Sequence, residues 1–325
     1  MAREPTSEEG RPVTGGIVVR GERPGDEEAV DLVNFMAFDS PQRGIGGGQA
    51  EVDLVRRLRL RYPGFDRRFS VTAWAGGEMV GHALFTPALL RLLRRDVRAL
   101  AVGPVAIVPR WQRRGVGGEL LRHGHELGRS EGYELAFLLG HPGYYPRHGY
   151  IPCFGFARAT IDLALLPAST KHFEQLPVQS SDLPWLADLC RREHEAVDFG
   201  WLWGTAYGEW AMPGVQALVW RTDDGRRAAY TLRVGTEWKH VLAEDVSLAR
   251  EVICAIRPAS LAHHRSGWLA RHALDPAWST CGVEASEAAM ACELSPGALE
   301  PYLEEVNAAT RLPGACNFAL PYLLC

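Results

Sequence analysis

The chain has 325 residues, of which 46% are hydrophobic and 23% charged, and a net charge of −4. That length is more than one core comfortably holds and argues for two domains, while the negative balance gives no general reason to expect nucleic acid or an anionic membrane as partner. The seven cysteines are odd in number and form no C-x-x-C pair, so neither a disulfide framework nor a zinc site is expected, and reduced thiols in a cytoplasm fit best.

Residues 1–15, rich in Glu, Pro, Gly and Arg and without an apolar h-region, read as a disordered leader rather than a signal peptide. Ile17–Arg20 reads as a first strand, followed by the turn Arg23-Pro24-Gly25-Asp26, whose Asp26 is placed to cap a helix ending before Pro41. The glycine-rich stretch 44–48 reads as a flexible loop and is followed by a second helix near Glu51–Leu60. Phe69–Trp74 and Met79–Phe85 read as a hairpin around Gly76-Gly77, and Leu100–Val108 as another strand. An amphipathic helix is expected from Gly117 to about Ser130, then a buried strand at Leu135–Leu139, a short helix and a last strand. This mixed α/β unit occupies 16–160. Pro167 and the polar run 168–175 read as a linker to a second α/β domain at 170–325. Its expected elements are a helix at Leu183–Val197, strands near Gln216–Trp220, Arg227–Val234 and Ala288–Leu294, and a helix near Leu299–Ala309.

The turn between the strand at Val105–Val108 and the helix reads Gln112-Arg113-Arg114-Gly115-Val116-Gly117-Gly118. Such a turn exposes backbone N–H groups at the positive end of a helix dipole, which makes an anion site. Gly115 and Gly117 admit close approach of phosphate oxygens, and Arg113 and Arg114 add charge, so a pyrophosphate is the natural ligand. The Walker pattern is missing, because no Gly-Lys-Ser/Thr follows. The dinucleotide fingerprint is also missing, because Leu120 stands where its third glycine belongs.

The stretch Gly103–Tyr150 resembles the Gcn5-related N-acetyltransferase (GNAT) superfamily, over about residues 15–160. Gln112 to Gly117 matches the fixed positions of that family's Q/R-x-x-G-x-G/A pyrophosphate loop, and Tyr145-Pro146-Arg147-His148-Gly149-Tyr150 matches its Y-x-x-x-G-F/Y run. The resemblance implies a GNAT acyltransferase fold and acetyl-CoA as cosubstrate, with no metal. The acetyl group would pass by direct attack to a primary amine of a small molecule or peptide. It implies that the backbone of Val105, Ala106 and Ile107 pairs with the pantetheine amides like an added strand, in a gap opened where the strand at Leu135–Leu139 splays away. It implies further that Arg113, Arg114, Val116 and Gly118 join the loop's grip on the cofactor, and that Gly140 and His141 touch it. Tyr145 would act as general acid toward the leaving thiolate. An acidic residue stands in many relatives where this chain has His141, which leaves its role open. Asp39, Glu51, His82 and His141 are candidate general bases; His123 and His125 read as solvated, and Tyr150 as core.

The N-terminal part is also similar to the enhanced intracellular survival acetyltransferases, in which the terminal carboxylate enters the active site as base, a role that would fall here to Cys325 behind the apolar run 319–324. The second half carries no pyrophosphate loop and reads as a degenerate GNAT-like module. Its aromatic residues, Trp185, Trp201, Trp203, Tyr207, Trp210, Trp220 and Trp238, read as core or as a wall of the acceptor pocket. Glu193, Glu195, Asp198 and Glu209 read as a solvated face or as a lure for a cationic amine. A non-catalytic acyl-CoA-binding regulator with the same fold is the alternative, and a homo-oligomer is compatible with either.

Overall fold

The computed structural model describes residues 11–13, 16–39 and 47–318. Of the expected leader, Arg11–Val13 forms a short strand against Ile17–Val19 and the rest lies outside the described residues. Most of the glycine-rich stretch also lies outside them, but Gly47 and Gly48 open the second helix, Gly47–Arg61. A Cβ on Gly48 would collide with the Phe35 backbone, so this helix can meet the first one, Glu27–Phe38, only through a glycine. Asp26 stands at the N-cap of that first helix without capping it through its side chain. Its carboxylate is taken instead by Arg20 at 2.6 Å and by the Arg23 backbone N–H at 2.7 Å.

Two mixed sheets form the molecule. The first runs, strand beside strand, through Arg11–Val13, Ile17–Gly21, Ser70–Ala75, Glu78–Leu92, Arg95–Ile107, Leu135–Leu139, Ala289–Glu293 and Ile151–Pro152, with Gly200–Trp201 added beside Glu78–Leu92. The second runs through Ser279–Ala285, Phe154–Ile161, Ser260–Leu261, Glu237–Leu242, Arg227–Val234, Gln216–Arg221 and Glu174–Pro177. The stretches 16–160 and 170–325 therefore exchange strands. Phe154–Ile161 lies in the second sheet, and Ala289–Glu293 fills the first between Leu135–Leu139 and Ile151–Pro152.

Glu78–Leu92 and Arg95–Ile107 form a hairpin much longer than the sequence suggests. Leu93 and Arg94 close it with φ of 49° and 62°, the left-handed pair that a two-residue hairpin turn needs. Pro87 is tolerated because Ser70–Ala75 pairs only as far as Leu84, so no ladder bond is demanded of the missing N–H on that side.

The helix Val116–Ser130 lies across this sheet with Val116, Leu120 and Leu121 buried. Gly124 sits against the Phe85 ring and Gly128 against Leu100 and Leu294, so small residues set how closely helix and sheet approach. His125, expected in solvent, is 5% exposed, and its Nε2 is 2.8 Å from the Tyr150 hydroxyl. Burial lowers its pKa to about 4. Helical spacing from Leu121 and Gly124 places His125 on the inner face. Tyr150 is buried, as a core residue should be.

Candidate active site at the splayed strands

Arg95–Ile107 and Leu135–Leu139 run parallel and pair only at Ala99–Leu135, Leu100–Ala136 and Ala101–Phe137. Beyond that point they part. Val102–Ile107 continues alongside Glu78–Leu92, with a register shift between Ala83 and Phe85, while Leu138 and Leu139 pair on their other side with Met290 and Ala289. The Gly140 N–H follows them to the Ala288 carbonyl at 2.8 Å.

The bonding alternation says which backbone groups face the gap. The Val108 N–H bonds the Val80 carbonyl, toward the hairpin partner. Val105 and Ile107 therefore present N–H and C=O to the open side. Gln112 already reaches the Ile107 carbonyl from there, through Nε2 at 3.1 Å.

Gly115, φ 85°, is the N-cap of the helix Val116–Ser130, and Arg113 is also left-handed at φ 60°. A non-glycine residue in that region costs about 1 kcal/mol or more, so Arg113 carries backbone strain at the turn where the N–H groups converge. Arg114 lies over the Trp111 ring at 5.2 Å, a cation–π contact that holds it beside the turn. Two aromatic side chains close over the far side. A Cβ on Gly117 would strike the Tyr144 hydroxyl, and one on Gly140 would strike the Tyr145 ring. Tyr145 is half-buried, edge-on to Tyr144 at 5.1 Å and to Tyr150 at 5.6 Å. Burial pushes the Tyr144 hydroxyl above its ordinary pKa.

One cavity of about 1050 Å³ joins these parts. Val105, Ile107, Gln112, Arg113 and Gly115 line it, as do Val116, Gly117, Gly118, Gly140, His141 and Tyr145. Ala106, fully buried on the opposite face and paired with His82, does not, and neither does Arg114. Among the base candidates, Glu51 and His141 border the cavity. His82 does not; burial and Arg59 hold its pKa down to about 3. Asp39 is exposed and away from the lining. The terminal-carboxylate expectation falls on 319–325, outside the described residues, although Ala315 to Phe318 line the cavity.

The second half supplies the rest of the wall, including Glu193, His194, His240, His263 and His264. None of the seven aromatics singled out from the sequence borders it. Trp201, Trp203, Trp210 and Trp220 are core residues. The carboxylates expected on a solvated face or as a lure for a cationic amine are, apart from the exposed Glu195, buried. Asp198 bonds the Leu93 N–H at 2.6 Å and Arg311 at 2.9 Å, and Glu209 bonds the Gly204 and Ala206 N–H groups. Glu193 bonds the Leu269 N–H at 2.8 Å and His263 at 2.9 Å. Their backbone partners come from turns and, at Leu269, from the start of the helix Trp268–His272, and such bonding cannot be read from spacing. Tyr144, His148 and Trp111 also stand at the cavity. Tyr144 precedes the Y-x-x-x-G run and His148 lies within it, and that neighbourhood was their only signal.

Residues 37–153 match the acetyltransferase (GNAT) domain family. The uncharacterized N-acetyltransferase YjhQ of Escherichia coli is 40% identical over 109 residues, which is 34% of this chain and 60% of that protein, so less than two thirds of the relative's length is spanned. A GCN5-related N-acetyltransferase from Kribbella flavida superposes with a TM-score of 0.61 at 17% identity, over 87% of this chain and 73% of its own. Eis1 from Mycobacterium abscessus does so with a TM-score of 0.60 at 15% identity, over 88% and 75%. These two likenesses extend the fold across both halves. Residues 37–153 thus match the GNAT acetyltransferase domain family, and the chain as a whole shares the fold of the two-domain GNAT structures on which it superposes.

Proposed function

We propose that the chain is an N-acetyltransferase that moves the acetyl group of acetyl-CoA to a primary amine. The observation that carries this reading is the parting of Val102–Ile107 from Leu138–Gly140, with the Gly115–Gly118 turn at its mouth. The gap leaves backbone donors and acceptors at Val105 and Ile107 with the spacing of a strand edge, to which a pantetheine arm adds as an extra strand. The turn supplies N–H groups, helix dipole and arginine charge for the diphosphate. The acetyl carbonyl would then lie by the Ile107 N–H, which stabilises the developing oxyanion.

In this reading Tyr145 is the general acid. It lines the same cavity as Val105 and Ile107, and its ring is fixed by Gly140, Tyr144 and Tyr150. The amine lone pair forms the C–N bond, the tetrahedral oxyanion collapses, the sulfur takes the Tyr145 proton as the C–S bond breaks, and the nitrogen gives its surplus proton to the Tyr145 oxygen.

The test is release of free thiol from acetyl-CoA across a set of primary amines, for the parent chain and for Tyr145→Phe. General acid–base groups contribute about 10²–10⁴-fold, so the variant should lose about 100-fold in kcat while its affinity for coenzyme A is unchanged. Full coenzyme A binding with no turnover in either protein would leave the acyl-CoA-binding regulator as the surviving reading. No affinity for coenzyme A would end both.

A further inference from the structure

The far wall of the cavity holds four buried histidines, and the hydrogen bonds sort them. His263 accepts the Val241 N–H on Nε2 at 3.0 Å, so its proton sits on Nδ1 and is donated to Glu193. His264 accepts the Ser266 N–H on Nδ1 and donates from Nε2 to the Pro313 carbonyl at 3.1 Å. Both rings are spent on structure.

His194 and His240 are not. His194 Nδ1 is 2.8 Å from the Cys190 carbonyl, which can only accept, so Nδ1 carries the proton and Nε2 keeps its lone pair. No hydrogen bond from a described residue reaches the His240 ring, which packs edge-on to Trp203 at 5.0 Å. Both rings are at most 5% exposed and both border the cavity that holds Tyr145 and Ile107. A ring nitrogen with a free lone pair at the cavity wall can accept an N–H from a ligand. Among the described residues no group of three or more His, Cys, Asp or Glu is arranged to hold a metal ion, so the convergence is not explained that way.

Resting on the acetyltransferase reading, we propose that His194 and His240 form the acceptor subsite and that His194 Nε2 takes the proton from the attacking amine. The arriving ammonium gives one proton to His194 Nε2 while His240 accepts a second N–H, and the freed lone pair bonds the acetyl carbon. The C–S bond then breaks, and sulfur takes the Tyr145 proton. The added nitrogen gives its surplus proton to the Tyr145 oxygen, the imidazolium releases its own to solvent, and the products are an amide and a thiol. Burial lowers the pKa of both rings, so they meet a cationic amine uncharged. The charged and titratable groups around them are Cys190, whose Sγ is 3.6 Å from His194 Nδ1, Glu193, His263, His264 and Lys239.

The substrate class that follows is a primary amine whose nitrogen enters last, against two uncharged imidazoles. The test uses the full chain, with benzylamine, tyramine and 1,4-diaminobutane as probes. His194→Asn keeps a donor for the Cys190 carbonyl and removes Nε2, and His240→Phe keeps the ring shape without nitrogen. Expected are losses of about 100-fold in kcat/KM for the amine in His194→Asn, with coenzyme A affinity and melting temperature unchanged. The deficit should narrow toward pH 10, where the amine arrives already deprotonated. Parent-like kcat/KM in both variants overturns the proposal. Nitrogen-15 histidine spectra of the coenzyme A complex supply a readout independent of turnover, in which the His194 Nε2 signal should move on adding an amine. Coenzyme A binding with no such shift for any probe overturns the acceptor subsite alone. Failure to bind coenzyme A overturns the reading beneath it as well.

Discussion

The Ser70 hydroxyl stands between two buried groups that need it. It donates to the Glu22 carboxylate and lies 3.0 Å from His82 Nε2, while Asn34 Nδ2 lies 2.9 Å from His82 Nδ1. The Asn34 amide nitrogen can only donate, so Nδ1 accepts and Nε2–H donates to Ser70. Arg59 and Arg67 close the chain on Glu22 at 3.0 and 2.7 Å. Ser70→Ala would strand the His82 N–H in a fully buried site, at a cost of about 1–3 kcal/mol, visible as a lower urea midpoint with an unchanged m-value. Gly140→Ala acts differently. Its Cβ would strike the Tyr145 ring, which borders the cavity and can shift into it, so turnover should fall at least tenfold while the melting temperature changes little. Thiol release and a thermal melt separate the two effects.

The helix Val116–Ser130 shows how two effects of one substitution are weighed. Replacing Gly124 by Ala gains about 1 kcal/mol of helix propensity, but the new Cβ would fall within the Phe85 ring. Overpacking costs about 1–3 kcal/mol, so the net change should be destabilising, checked by chemical denaturation. This helix and the strand Leu135–Leu139 were legible in the sequence, because amphipathic period and a bounded apolar run are local signals. The hairpin from Thr86 to Ala99 was not. Pro87 and the charges at Arg91, Arg94, Arg95 and Asp96 interrupt the apolar pattern of a strand, whereas the long hairpin is held by pairing with its own return strand and with Gly200–Trp201. The loop 112–118 was legible because its glycines are close in sequence. The second wall was not, because Glu193, His194, His240 and His263 come together only through packing of the second sheet.

At the scale of the molecule, burial of uncharged histidines dictates acid behaviour. His82 is held down to a pKa of about 3 and His125 to about 4, and burial also lowers His194, His240 and His264. With the folded pKa below the unfolded value near 6.5, the unfolded chain binds more protons between them. Stability is then complete above about pH 6.5 and falls as the pH drops toward 4, by up to about 1.4 kcal/mol per pH unit for each such histidine. Urea midpoints measured from pH 7.5 to 4.5 should decline steeply below 6.5; a flat profile would contradict this burial. The exchanged strand has a separate consequence. Ala289–Glu293 closes both Leu135–Leu139 and Ile151–Pro152, so the N-terminal sheet is incomplete without residues from near the other end of the described chain. Amides of Leu135–Leu139 should therefore take up deuterium only through global opening, and at the same rate as those of the central strands of the second sheet.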